Sequence, residues 1–150
     1  MQRAERTVRV RAPVSEVYRF WRRFENFPQF MEHVEEVRTL DPEGKRSHWK
    51  LKGPLGTSAE FDAELTQDIP DRSIGWNSTR GSMQSTGAVT FADLGEYTEV
   101  HVVMQWYDLP GGPAGEAASK LFQDPEQMLQ EDLERFKQLV ETRSGAASRA

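Results

Sequence analysis

Apolar and polar side chains alternate along most of this chain, and the places where the alternation changes period mark its elements. Val8 and Val10 fall on one face and Arg9 and Arg11 on the other, which predicts a half-buried strand ending before Pro13. Val14, Val17, Tyr18, Trp21 and Phe24 then recur three or four residues apart, as on one helix face, with Pro13 suited to the first turn. The stretch FENFPQFMEHVEEV (24–37) sets three phenylalanines, a proline and a methionine within eight residues before turning acidic. Pro28 fits the first position of a second short helix over Phe27 to Met31, joined to the first at Glu25-Asn26.

From Val34 the period returns to two, and six strands follow with no helix between them. HVEEVRTLD is the first, and DPEGK (41–45) supplies a turn. RSHWKLKG places Trp49 and Leu51 on one side, and GPLG (53–56) turns again. TSAEFDAELTQD sends Ala59, Phe61, Ala63 and Leu65 inward and Glu60, Asp62 and Glu64 outward. Ile74 and Trp76, then Val89 and Phe91, then Val100, Val102, Met104 and Trp106 continue the inner set. Consecutive antiparallel pairing in one meander is the expectation.

The last third is helical. LPGGPAG breaks the final strand, a helix begins in AGEAASKLFQ, and Asp124-Pro125 interrupts it as N-cap and first helical residue. Leu129, Leu133, Phe136 and Val140 then form one apolar stripe, and residues 144–150 read as a small, polar tail that frays. The domain is expected to span residues 1–143.

These elements predict an α+β fold: seven antiparallel strands in a curved sheet, two short helices after the first strand, and a long C-terminal helix across the concave face. One helix cannot fill the whole concavity. Large inner residues on separate strands, Trp49, Phe61, Trp76, Phe91, Met104 and Trp106, either fill the remaining space or line it. Phe122 and Met128, flanking the Asp124-Pro125 break, add matching apolar surface.

Composition narrows the function. A chain of 150 residues suits one domain with a real core. Its apolar runs are far shorter than the ~20 residues of a membrane span, and FENFPQFMEH is short enough to allow transient membrane contact only. MQRAERTVRV is not followed by an apolar run, so no secretory signal is expected and the cytoplasm is the simplest location. A net charge of −5 with no basic stripe argues against nucleic acid; Arg19, Arg22 and Arg23 read as a wet helix face. Without cysteine there are no disulfides or thiolate ligands.

Catalytic signals are sparse. His33, His48 and His101 lack metal-ligand spacing, so no metal and no cofactor are expected. His48 and His101 fall on outward parity and read as exposed, as does the acidic row Glu60, Asp62 and Glu64. GGPAG (111–115) lacks the GxGxxG order of a phosphate loop, and no GxSxG elbow appears. Polar groups on the inner parity are limited to Ser47, Ser78 and Ser85. His33 at the helix–strand joint, Arg80 in the STRGS loop and Tyr107 at the last strand's end are candidate contacts for a polar head group.

The order of elements, FENFPQFMEHVEEVRTLD (24–41) and LQEDLERFKQLVET (129–142) together resemble the START-like, helix-grip superfamily. Within it the likeness is to the polyketide cyclase/dehydrase and coenzyme Q-binding branch. The resemblance implies a sheet wrapped around the last helix with a ligand tunnel between them. It places Phe27, Pro28, Phe30 and Met31 near the mouth, and Leu129, Leu133 and Phe136 along the helical wall. The leading expectation is therefore a carrier or sensor for a lipid, isoprenoid quinone or polyketide-like molecule, which a tryptophan at Leu133 would exclude. A cyclase or dehydrase, and an interaction module with a filled cavity, are the alternatives; oligomeric state is not legible.

Overall fold

β1 (Gln2–Val10) pairs with β7 (Thr98–Tyr107), so the first and last strands of the chain lie side by side. The remaining strands are β2 (Val34–Thr39), β3 (Arg46–Lys52), β4 (Ser58–Ile69), β5 (Ser73–Gly81) and β6 (Gln84–Asp93). Together they form a seven-stranded sheet in the order β1-β7-β6-β5-β4-β3-β2, every pair antiparallel. This is the α+β, seven-stranded antiparallel arrangement that the periodicity predicts, with the helix-grip order that the resemblance implies. The structure, a computed structural model, describes residues 2–53, 56, 58–81, 84–107 and 124–148. The expected helix start in AGEAASKLFQ, the LPGGPAG break and GGPAG lie outside these residues.

Inner parity holds along the strands. Val8, Val10, Trp49, Leu51, Phe61, Ile74, Val89, Phe91, Val100 and Val102 are all buried. β2 departs from period two: Val34 and Val37 are its buried residues, because a bulge between Val34 and Glu36 inserts one residue into the register. In the β2–β3 turn, Asp41 Oδ1 accepts the Lys45 N–H at 2.8 Å while Gly44 adopts φ 68°, a conformation glycine takes without Cβ strain.

α1 spans Val14–Arg22 and buries Val17, Tyr18, Phe20 and Trp21, a wider stripe than expected because Phe20 also turns inward. The joint that follows differs from the predicted one. A single 3-10 helix covers Phe24–Gln29 with Pro28 inside it, and the break falls at Arg23 (φ −85°, ψ 90°) rather than at Glu25-Asn26. The Asn26 side-chain amide donates to Phe20 O at 3.0 Å, closing the end of α1, so Asn26 is committed to a cap.

α2 spans Pro125–Ser148, and Asp124 Oδ1 caps it by accepting the Gln127 N–H at 3.2 Å. The helix continues through residues expected to fray, since Ala146 and Ala147 carry high helix propensity. It runs alongside β1 in the same direction. Glu126 meets Arg6 at 2.9 Å, Lys137 donates to Arg9 O at 2.7 Å, and Glu141 accepts the Arg11 N–H at 2.8 Å. The fifteen helical steps from Glu126 to Glu141 rise ~22 Å and the five steps from Arg6 to Arg11 ~17 Å, a difference that the long side chains making these three ties take up. On its other flank, Arg135 Nε donates to Phe30 O at 3.0 Å. Between these ties Leu129, Leu133, Phe136 and Val140 are buried. No helix among the described residues is long and apolar enough to cross a membrane.

Candidate functional site

A chain of aromatic rings divides the space under α2. Phe136 meets Trp21 edge-on at 5.2 Å and Phe30 at 5.1 Å; Phe30 meets Phe27 at 5.0 Å, Phe27 meets Trp49 edge-on at 5.0 Å, and Trp49 stacks on Phe61 at 5.9 Å. At the α1 end of this chain Trp21, Phe30, Leu133 and Phe136 are each at most 1% exposed. At the other end a cavity of about 60 Å³ remains.

Phe27, Met31, His33, Val34, Trp49, Leu51 and Phe61 line the cavity from the 3-10 helix, its connector and strands β2 to β4. Trp76, Ser85, Met104 and Trp106 form its floor on β5 to β7, and Pro125, Met128, Leu129 and Asp132 its wall on the first turns of α2. Of the residues expected at the site, Phe27, Met31, Trp49, Phe61, Trp76, Met104, Trp106, Met128, Leu129 and His33 are thus brought together.

Five others are not. Phe30, Leu133 and Phe136 are buried at the α1 end of the aromatic chain, beyond the cavity, whose helical wall ends at Asp132. Pro28 is exposed beside them. Arg80 is also elsewhere: it lies in β5 rather than in a loop, and its Nε donates to Asp62 Oδ2 at 3.0 Å on the outer face. Phe122 lies outside the described residues, as does the side chain of Tyr107.

Two polar groups at the cavity were not expected as site residues. Ser85 faces it from β6, while its backbone N–H donates to Ser78 Oγ at 2.9 Å. Asp132 is 7% exposed, and its Oδ1 accepts the Glu32 N–H at 3.3 Å and an Arg135 Nη2 hydrogen. Burial pushes the Asp132 carboxyl up to about 6, opposed by the Glu32 N–H, Arg135 and His33. The available signal was its position on the apolar stripe, three residues after Leu129 and one before Leu133. His33 Nδ1 lies 3.0 Å from Lys52 O, which holds the ring at the rim.

The outer-face histidines are paired rather than simply exposed. His48 Nδ1 lies 2.6 Å from Asp62 Oδ1 and its Nε2 lies 3.2 Å from Glu60 Oε1. The Asp62 hydrogen bond, then that of Glu60, raises the His48 pKa; His48 and then Arg80 lower that of Asp62. His101 bridges Thr7 Oγ1 and Glu5 Oε2, each at 2.8 Å. Register explains both, since His48 stands opposite Asp62 and His101 opposite Thr7. Among the described residues no cluster of His, Asp and Glu has metal-binding geometry.

Residues 10–134 match the family described as polyketide cyclase/dehydrase and lipid transport, and the chain belongs to that family. It is 35% identical over 144 residues to an uncharacterised 17.2 kDa protein of Streptomyces lincolnensis, covering 95% of this chain and 92% of the relative. A crystal structure of a Deinococcus radiodurans protein is 30% identical with a TM-score of 0.74, covering 95% and 98% of the two chains. A START-superfamily protein of Mycobacterium smegmatis, 17% identical over 97% and 98% of the chains with a TM-score of 0.68, shares the fold.

Proposed function

We propose that this member of the polyketide cyclase/dehydrase and lipid-transport family binds a hydrophobic small molecule between its sheet and α2. The carrying observation is the chemistry of the cavity wall: among the described lining residues aromatic, aliphatic and thioether side chains dominate, and the polar ones are His33, Ser85 and Asp132. Each Å² of apolar ligand surface buried there contributes roughly 25 cal/mol. A lipid, an isoprenoid quinone or a polyketide-like compound offers such surface.

The cavity of about 60 Å³ is well below the ~300–1,000 Å³ of typical ligand sites. Uptake therefore requires its walls to move. Met31, Met104 and Met128 are the groups suited to that, since an unbranched thioether changes rotamer at low cost. Native mass spectrometry of the purified protein, followed by organic extraction, tests the reading. An apolar compound released in fixed ratio to protein supports it; a chain that neither carries nor takes up any such compound overturns it.

A cyclase or dehydrase is the second reading, favoured by Asp132 beside His33 at the cavity. A carboxyl group that titrates near neutrality can move protons on a polyketone. Turnover of a polyketone that is lost in Asp132→Asn would favour this reading over carriage alone.

A further inference from the structure

We infer that Asp132 is the polar recognition point of the cavity, selecting ligands whose head group donates a hydrogen bond, such as a hydroxyl or an amine, against carboxylates and phosphates. This rests on the ligand-binding reading above and adds the class of ligand.

The two carboxylate oxygens of Asp132 are used differently. Oδ1 is taken by the Glu32 N–H and by Arg135, whose guanidinium is itself fixed by Phe30 O at 3.0 Å. Among the described residues no hydrogen bond reaches Oδ2, and this oxygen is not a sealed, unpartnered atom. It is the acceptor left for whatever occupies the cavity that Asp132 lines. A native fold leaves few such acceptors unused at a largely buried carboxylate, because an unmet one is costly.

Charge gives the selection its sign. Among the described residues, the groups facing Asp132 are Arg135 on α2, His33 on the connector and the backbone N–H of Glu32, whose own side chain is exposed. Arg135 is committed to Asp132 Oδ1 and Phe30 O, and it does not line the cavity. Among the described lining residues His33 is the other titratable side chain, with Nδ1 at Lys52 O. Among the described lining residues there is no lysine or arginine to receive an anion. An anionic head would meet a carboxylate across apolar surroundings, where like-charge repulsion is weakly screened. A hydroxyl or ammonium would instead complete the unused acceptor.

Three probes with one apolar body separate the possibilities: butylbenzene, para-butylphenol and para-butylbenzoate. Trp49, Trp76 and Trp106 line the cavity, so intrinsic fluorescence reads occupancy. At pH 8 the wild-type chain is expected to bind the phenol at least about tenfold more tightly than the benzoate, and the ratio should shrink toward pH 5. Asp132→Asn should gain benzoate affinity by about tenfold at pH 8 and lose most of the pH dependence. Equal wild-type affinities at pH 8, or a phenol-to-benzoate ratio unchanged in Asp132→Asn, would overturn the assignment. The wild-type ratio across pH stands without the variant, should that variant fold poorly. If butylbenzene binds and the two heads are not distinguished, this inference fails alone; if none of the three binds, the ligand-binding reading fails with it.

Discussion

The indole of Trp76 lies over Gly87, its cross-strand partner, so closely that a Cβ at Gly87 would stand 2.2 Å from Trp76 Cζ2. The missing side chain on β6 is what lets a ring on β5 lie flat as the cavity floor. Gly87→Ala must push the indole off the sheet, and the open side is the cavity. We expect a stability loss at the low end of the ~1–3 kcal/mol typical of overpacking, together with at least about a tenfold loss of para-butylphenol affinity. Urea unfolding and fluorescence titration check the two effects separately. Unchanged binding would mean that the ring has somewhere else to go.

How much of this was legible beforehand follows from the range of each interaction. A strand side chain's face is set by its own parity, so Trp49, Phe61, Trp76, Met104 and Trp106 could be assigned to the inner surface without coordinates. The joint after α1 could not, because Pro28 is compatible with the first position of one helix or the interior of a 3-10 turn. The choice rests on Asn26 reaching back to Phe20 O. Leu133 and Phe136 share a stripe with Leu129, and periodicity alone could not say that the cavity ends at Asp132. Asp132 itself is held by the N–H of Glu32, 100 residues away in sequence. The pairing of His48 with Asp62 likewise needs the β3–β4 register.

That division of α2 makes two neighbouring positions behave differently. Met128 lines the cavity and is half-buried, whereas Leu133 is 1% exposed beyond it. Met128→Trp is expected to lower para-butylphenol affinity by more than about tenfold while the urea midpoint stays near wild type. Leu133→Ala is expected to cost ~2–5 kcal/mol, and Leu133→Trp to destabilise by overpacking rather than to plug a ligand site. A stable, ligand-excluding Leu133→Trp would place the cavity deeper along α2 than the structure does.

His48 makes stability depend on pH with a definite sign. Both ring nitrogens face carboxylate oxygens, Asp62 at 2.6 Å and Glu60 at 3.2 Å, so the imidazolium form can donate to both. Its folded-state pKa is raised above the ordinary 6.5, first by the Asp62 hydrogen bond. The stabilisation is therefore complete below pH 6.5 and is lost as pH rises through the folded value. His48→Gln should remove this segment of the pH profile, with a loss of up to ~1 kcal/mol at pH 6 that fades by pH 9. A difference between the two proteins that stays constant over that range would show that the ring contributes packing and no charge.

Tyr18 offers the corresponding test at the alkaline end. Its hydroxyl donates to Asp68 Oδ1, while Arg22 Nε donates to Asp68 Oδ2 at 3.0 Å and Arg22 Nη2 to Glu43 O at 3.0 Å. One carboxylate at the end of β4 thus anchors α1, and Arg22 extends the anchor to the β2–β3 turn. Burial, then the Asp68 hydrogen bond and charge, pushes the Tyr18 phenol up to about 12. Tyr18→Phe keeps the edge-on contact with Phe91 at 5.9 Å and removes only the hydroxyl. We expect a loss of ~1–2 kcal/mol below pH 10, read as a lower urea midpoint at unchanged slope. Because the folded pKa lies above the unfolded value of 10.0, this contribution is present below pH 10 and is lost as pH rises toward about 12. The gap between wild type and Tyr18→Phe should narrow over that interval as the phenol ionises. Were it to stay constant up to pH 12, the hydroxyl would not be held by the Asp68 carboxylate, and the docking of α1 would have to be ascribed to its buried face alone.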